Sequence, residues 1–134
     1  MSKINFIDAP EKLKQEFSFL VSNFGFELIT DESKNFGCKL EYEFGEIRLY
    51  LFYDFRENFF NFCFVRGSKT KVPNDNDPKN IKTFFQVFNR YEPELTLNSI
   101  EPNSEGYELA LKRNVELLKK YSSQILREYE WVEL

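Results

Sequence analysis

The chain has 134 residues, 42% of them hydrophobic and 18% aromatic with 16 Phe, and 30% are charged, for a net charge of −4. That length supports one core without metal or disulfide staples, and two cysteines are too few for a disulfide framework. The acidic balance disfavours nucleic acid as a partner, because phosphate binding needs concentrated Lys and Arg.

The opening MSKINFIDAPEKLK has no apolar segment of the secretory type, and no apolar run nears the roughly 18 residues needed to cross a bilayer. The cytoplasm is the expected compartment, with no membrane partner. Asp8 and Glu11 predict a capping box with Pro10 in the first turn. Leu13, Phe17, Leu20, Val21 and Phe24 then recur at helical spacing, and Gly25 ends the helix.

Four strands are predicted next. Residues 26–30 form a short one. Residues 38–44 place Cys38, Leu40, Tyr42 and Phe44 on one side and Lys39, Glu41 and Glu43 on the other. Residues 47–54 set Ile47, Leu49, Leu51 and Tyr53 against Arg48, Tyr50, Phe52 and Asp54. Residues 58–66 set Phe60, Phe62 and Phe64 against Phe59, Asn61, Cys63 and Val65. Short connections at 31–36, 45–46 and 55–57 predict a sequential antiparallel meander.

Residues 67–80, GSKTKVPNDNDPKN, read as the longest loop. Asp77-Pro78 is predicted to open a second helix with Ile81, Phe84, Phe85 and Phe88 on one face. Residues 92–103 form an irregular connection with two prolines. A third helix from Ser104 carries Tyr107, Ala110, Leu111, Leu118, Tyr121 and Ile125, and the tail REYEWVEL follows as a turn, a strand or a docked extension. The expectation is one α+β domain over residues 1–134: a two-layer arrangement with an N-terminal helix, a four-stranded antiparallel meander and two C-terminal helices. The Leu49/Leu51 and Phe60/Phe62 parity should meet the helices. The opposite face, with Tyr50, Phe52 and Phe59, must be met by the tail, a helix, another chain or water.

Little in this pattern carries chemistry. There is no histidine, which removes His triads, most zinc sites and the usual proton shuttle. Neither a P-loop nor a G-x-G-x-x-G element occurs. Cys38 and Cys63 fall on strands that are second neighbours, about 9.5 Å apart at the usual spacing, beyond the ~7 Å Cα separation of a disulfide. They read as reduced core residues. The run at 74–77 lacks the spacing and terminal Glu of a calcium loop.

Carboxylates are the abundant polar candidates. Glu41, Glu43 and Glu46 gather near the second turn, and Asp54 and Glu57 flank the third. A solvated sheet face and turn chemistry account for them more simply than acid–base catalysis does. Tyr129 and Trp131 sit among Glu128, Glu130 and Glu133, a texture suited either to an interface anchor or to pinning the tail on the sheet. No catalytic residue, metal or cofactor is expected.

The opening helix ending FLVSNFGFELI, the strand pair IRLYLFYDFRENFFNFCF and the late helix YELALKRNVELLKKYSSQIL before YEW together resemble the small immunity proteins encoded beside polymorphic or contact-dependent bacterial toxins. The resemblance implies an acidic, cytosolic, non-enzymatic protein that covers a cognate toxin's active site or an adjacent surface. It carries no residue roles, because that class shares no common motif. Under it, Glu41, Glu43, Glu46, Asp54 and Glu57 would face basic groups of the toxin, and Tyr50, Phe52 or Trp131 would anchor the contact. The chain would act as a monomer or homodimer. Two alternatives stand beside it: a secretion-chaperone-like dimer holding an effector segment, and a small-ligand binder or enzyme with a Phe-lined pocket.

Overall fold

Alternation of apolar and polar side chains forces one side of each strand inward, and the register multiplies that choice across the sheet. A computed structural model describes residues 8–67, 79–128 and 131 of the chain. Its strands β1 (Glu27–Lys34), β2 (Gly37–Phe44), β3 (Ile47–Asp54), β4 (Phe59–Arg66) and β5 (Ile81–Thr83) form one antiparallel sheet in sequential order. The side chains of Cys38–Tyr53–Phe60, Leu40–Leu51–Phe62 and Tyr42–Leu49–Phe64 line up in rows, all buried. This is the predicted inward parity.

Helices α1 (Ala9–Glu16), α2 (Phe19–Phe24), α3 (Phe84–Tyr91) and α4 (Glu108–Lys120) supply the other half of the core. Rings make much of the junction. Phe17 meets Phe62 edge-on at 5.8 Å, and Phe84 stacks on Phe64 at 4.4 Å. Each such pair contributes about 0.5–1.5 kcal/mol beyond the area it removes from water. The architecture is α+β, as predicted, but with a fifth strand and a divided first helix.

The division falls at Phe17-Ser18. Ser18 Oγ donates to the Gln15 carbonyl at 2.8 Å, a local bond that competes with the helix ladder. The two-residue interruption shifts the apolar phase, so Phe19 is buried while Val21, predicted in the stripe, is 50% exposed. The capping box at Asp8 does not form: Asp8 makes no side-chain cap bond, and Glu11 pairs instead with Lys14 at 2.8 Å. Lys14 also reaches Asp31 on β1 at 3.0 Å, which ties helix to sheet. Gly25 ends α2 with φ +74°, as its freedom at positive φ predicts.

Beyond one-residue shifts at the starts of β1, β2 and β4, two features of the sheet differ from expectation. β1 runs on to Lys34, so the predicted connection 31–36 shrinks to a turn at residues 35–36. Ile81 pairs with Val65 as part of β5 and does not belong to a helix. Helix α3 starts later, at Phe84, because Thr83 and Gln86 form a reciprocal capping box of 2.8 and 3.1 Å. Asp77-Pro78, the predicted start, and the run 74–77 lie outside the described residues.

Between α3 and α4 the chain makes a single 3₁₀ turn, Leu97–Ile100. Helix α4 begins at Glu108 rather than at Ser104, after paired backbone bonds of 3.0 Å between Asn103 and Gly106. A π-helical turn, Ser123–Arg127, buries Ile125 and Leu126. Trp131 is fully buried, its ring 5.6 Å from Phe64. The one described residue beyond Glu128 thus docks on the helix side of the sheet. Tyr129, Glu130 and Glu133 lie outside the described residues.

Candidate functional site

The face of the sheet turned from the helices is built by the second parity. Across β2, β3 and β4 its rows are Lys39–Phe52–Asn61, Glu41–Tyr50–Cys63 and Glu43–Arg48–Val65. On β1, Glu32 stands beside Lys39 and Glu27 beside Glu43. Tyr50, Cys63 and Val65 are buried even on this side and form a small apolar island, flanked by Phe52 and Ile81. The question of what occupies the second face therefore has two parts: a local cluster under its centre, and charge around it.

The charges are partly spent on one another. Arg48 Nη1 lies 3.2 Å from Glu41 Oε2, and Lys39 Nζ lies 3.9 Å from Glu41 Oε1 and 3.6 Å from Glu32. Side-chain exposure of Glu41 and Arg48 is only 12% and 13%, so this pair sits against the island rather than in open water. Burial and the nearby Glu41 carboxylate push the Tyr50 phenol up to about 12. Burial likewise pushes both the Cys38 and Cys63 thiols up to about 12, which leaves them protonated and unreactive at neutral pH. Both are free and on opposite faces of the sheet.

The predicted partner residues separate accordingly. Glu41, Glu43, Tyr50 and Phe52 share the free face. Glu46 occupies the two-residue β2–β3 turn, where Gly45 takes φ +59°. Asp54 and Glu57 lie at the far end of the β3 hairpin, ~26 Å from Glu46 at the usual rise per residue. Asp54 is a turn-former: its Oδ1 accepts the Arg56 and Glu57 amides at 2.9 and 3.1 Å. Tyr50 and Trp131 are buried and offer no surface for a contact. Glu43, Glu46 and Glu57 make no ion pair among the described residues.

A second site lies at the sheet's edge, and it was not foreseen. β5 pairs only with residues 63–65 of β4, so the start of β4, paired with β3 on one side, has no strand on the other. A cavity of about 270 Å³ opens there, walled by Phe59, Phe62, Phe85 and Leu97 and holding Glu101 and Asn114. Glu101 Oε1 accepts the Phe60 amide at 2.9 Å. Burial pushes its carboxyl up to about 7, against the opposite pull of that amide. Asn114, 1% exposed, donates through Nδ2 to the carbonyls of Ile100 (2.8 Å) and Ala110 (2.9 Å).

Asn114 had a legible signal. It interrupts the apolar stripe of α4, between Leu111 and Leu118 at helical spacing, where a polar residue demands partners. Glu101 had none, since it lies in an irregular stretch without periodicity. Among the described residues no group of three or more His, Cys, Asp or Glu could hold a metal ion, and no helix is long and apolar enough to cross a membrane. Compared with family models, curated proteins and solved structures, the chain gives no match.

Proposed function

We propose that this protein is a non-enzymatic, immunity-type binding module that neutralises a cognate bacterial toxin in the cytoplasm by covering its active site or an adjacent surface. The observation that carries the reading is the opposition of Glu27 and Glu43 across β1 and β2, with Glu46 at the adjoining turn. Like charges directly opposite on a sheet destabilise it. Arg48, which stands across from Glu43 on β3, extends its guanidinium to Glu41. A basic partner seated over this end would relieve the repulsion and gain long-range attraction before contact.

Roles follow from the local chemistry. Glu43 and Glu46 steer the partner, Phe52 on the same face supplies apolar contact, and the Glu41–Arg48 pair holds the face in shape. Glu57 lies too far along the hairpin to join them and would meet the partner only across a broad footprint. Protection requires fast association and slow release. The protein binds as a monomer or homodimer and needs no cofactor.

The test is co-expression with the product of the adjoining toxin-bearing reading frame. Growth is expected to be restored, and the paired substitution Glu43→Lys with Glu46→Lys to weaken the complex at least tenfold by slowing association. Absence of both a tight complex and growth rescue would overturn the reading.

A further inference from the structure

The edge cavity contains two polar groups whose fold-stabilising duties leave something over. Capping the Phe60 amide takes one oxygen, and Glu101 Oε1 provides it. A glutamine would do the same without the cost of burying a charge. Glu101 Oε2 accepts no hydrogen bond among the described residues, and it is not sealed from the cavity as a buried orphan. Asn114 is similar. Its two Nδ2 bonds to carbonyls fix the orientation of the amide, so the remaining atom is an acceptor. That Oδ1 accepts no bond among the described residues although the side chain is almost wholly buried, and it too keeps contact with open space.

Two open acceptors in an aromatic cavity define the complement. The occupant must donate hydrogen bonds, and it must carry an apolar body small enough for about 270 Å³, just under the ~300–1,000 Å³ of sites for drug-sized ligands. No Lys or Arg lines the cavity among the described residues, so an anion would find no counter-charge, whereas a cation meets one acid and aromatic faces. A peptide strand added along β4 is disfavoured, because the Phe60 amide it would need is already taken by Glu101.

We propose that this cavity binds a small organic amine, its ammonium group donating to Glu101 Oε2 and Asn114 Oδ1 and its apolar body lying among Phe59, Phe62, Phe85 and Leu97. The site is independent of the free sheet face, so either reading can fail without the other. Glu101 is the one acid in the lining among the described residues and must be ionised to hold the ammonium. Its burial-raised value of about 7 makes the affinity climb through neutral pH, while an alkylammonium, ionising near ~10, stays charged throughout.

The full-length protein is titrated with 2-phenylethylamine, n-butylamine and the neutral 2-phenylethanol, following the Phe60 backbone amide and the Asn114 side-chain amide by ¹H–¹⁵N NMR. Saturable shifts of both signals are expected with at least one amine at up to millimolar concentration. The alcohol should bind at least tenfold more weakly. Affinity for the amine should be roughly tenfold higher at pH 8 than at pH 6, the ratio of ionised Glu101 for a group titrating near 7. Glu101→Gln keeps an acceptor for Phe60 and should lose at least tenfold. Leu97→Trp, at a rim position 48% exposed and therefore tolerant of change, should block entry without unfolding the protein. Equal binding of the alcohol, undiminished binding by Glu101→Gln or by folded Leu97→Trp, or no saturable shift with either amine would each overturn the proposal.

Discussion

The two faces of this sheet are made by the same strands yet follow different physics. Toward the helices, the rows from β2, β3 and β4 are apolar or aromatic throughout and make ring contacts with Phe17, just after α1, and with α3. Away from them, an island of Tyr50, Cys63 and Val65 is ringed by Lys39, Glu41, Glu43 and Arg48. The contrast teaches that aromatic content alone does not mark a contact surface. Tyr50 belongs to the second parity and is nonetheless buried, whereas Phe44 belongs to the first and is exposed at the sheet's end.

The largest expected effect compares equivalent truncations on the two faces. Phe64 packs against Phe84, Phe88 and Trp131 at 4.4, 6.2 and 5.6 Å, and Phe64→Ala should cost about 3–5 kcal/mol. Phe52, half-buried at the margin of the island, should cost about 1 kcal/mol on the same change. Urea unfolding of both variants measures the difference. Equal losses would mean that the free face is as tightly covered as the helix face, and the distinction between them would fail.

How much of this contrast the sequence displayed depended on whether a feature was local. The parity of β2, β3 and β4 is written in alternate residues, and the strand Ile47–Asp54 forms over the span its pattern predicts. The ending of α2 at Gly25 is equally local. The fifth strand was hidden because Ile81 suits a helix stripe or a sheet edge, and only its pairing with Val65, across a long connection, selects the latter. The same holds for the break at Ser18, where one hydroxyl-to-carbonyl bond outweighs an intact helical periodicity. Charge pairing was the least visible. Glu41 and Asp54 read as available acids, but Glu41 reaches Arg48 across the register and Asp54 turns back on its own loop.

A smaller effect sharpens the comparison by asking how far the free face behaves as interior. Arg48→Met would leave Glu41 facing the island without its closest cation. Removing one partner of a fully buried pair costs about 3–5 kcal/mol, and partial screening with Lys39 nearby at 3.9 Å brings the expected loss to about 2 kcal/mol. Adding Glu41→Gln should restore at least half of it, as a double-mutant cycle on chemical unfolding would reveal. If Arg48→Met costs nothing, the pair is a solvated surface bridge and the face contributes charge alone.

The smallest effect concerns Glu101, which belongs to neither face and sits where the sheet's edge is left unpaired. Its folded value lies near 7 against an ordinary 4.5, because burial disfavours the carboxylate. Between those values the folded protein keeps a proton that the unfolded chain has released. Stability must therefore fall as pH rises through that window, and stay level above it as far as this group is concerned. After discounting for solvent screening the slope should amount to about 1 kcal/mol between pH 5 and pH 8. Glu101→Gln keeps the Phe60 bond and removes the titration, so urea midpoints at the two pH values should draw together in the variant. Glu92 does not imitate the effect: its carboxyl is held below the usual range by the Tyr121 hydroxyl and Lys120, so whatever it contributes is lost as pH falls. An unchanged slope in Glu101→Gln would mean that Glu101 is hydrated like an exposed acid such as Glu46, and the edge cavity would then be open to water.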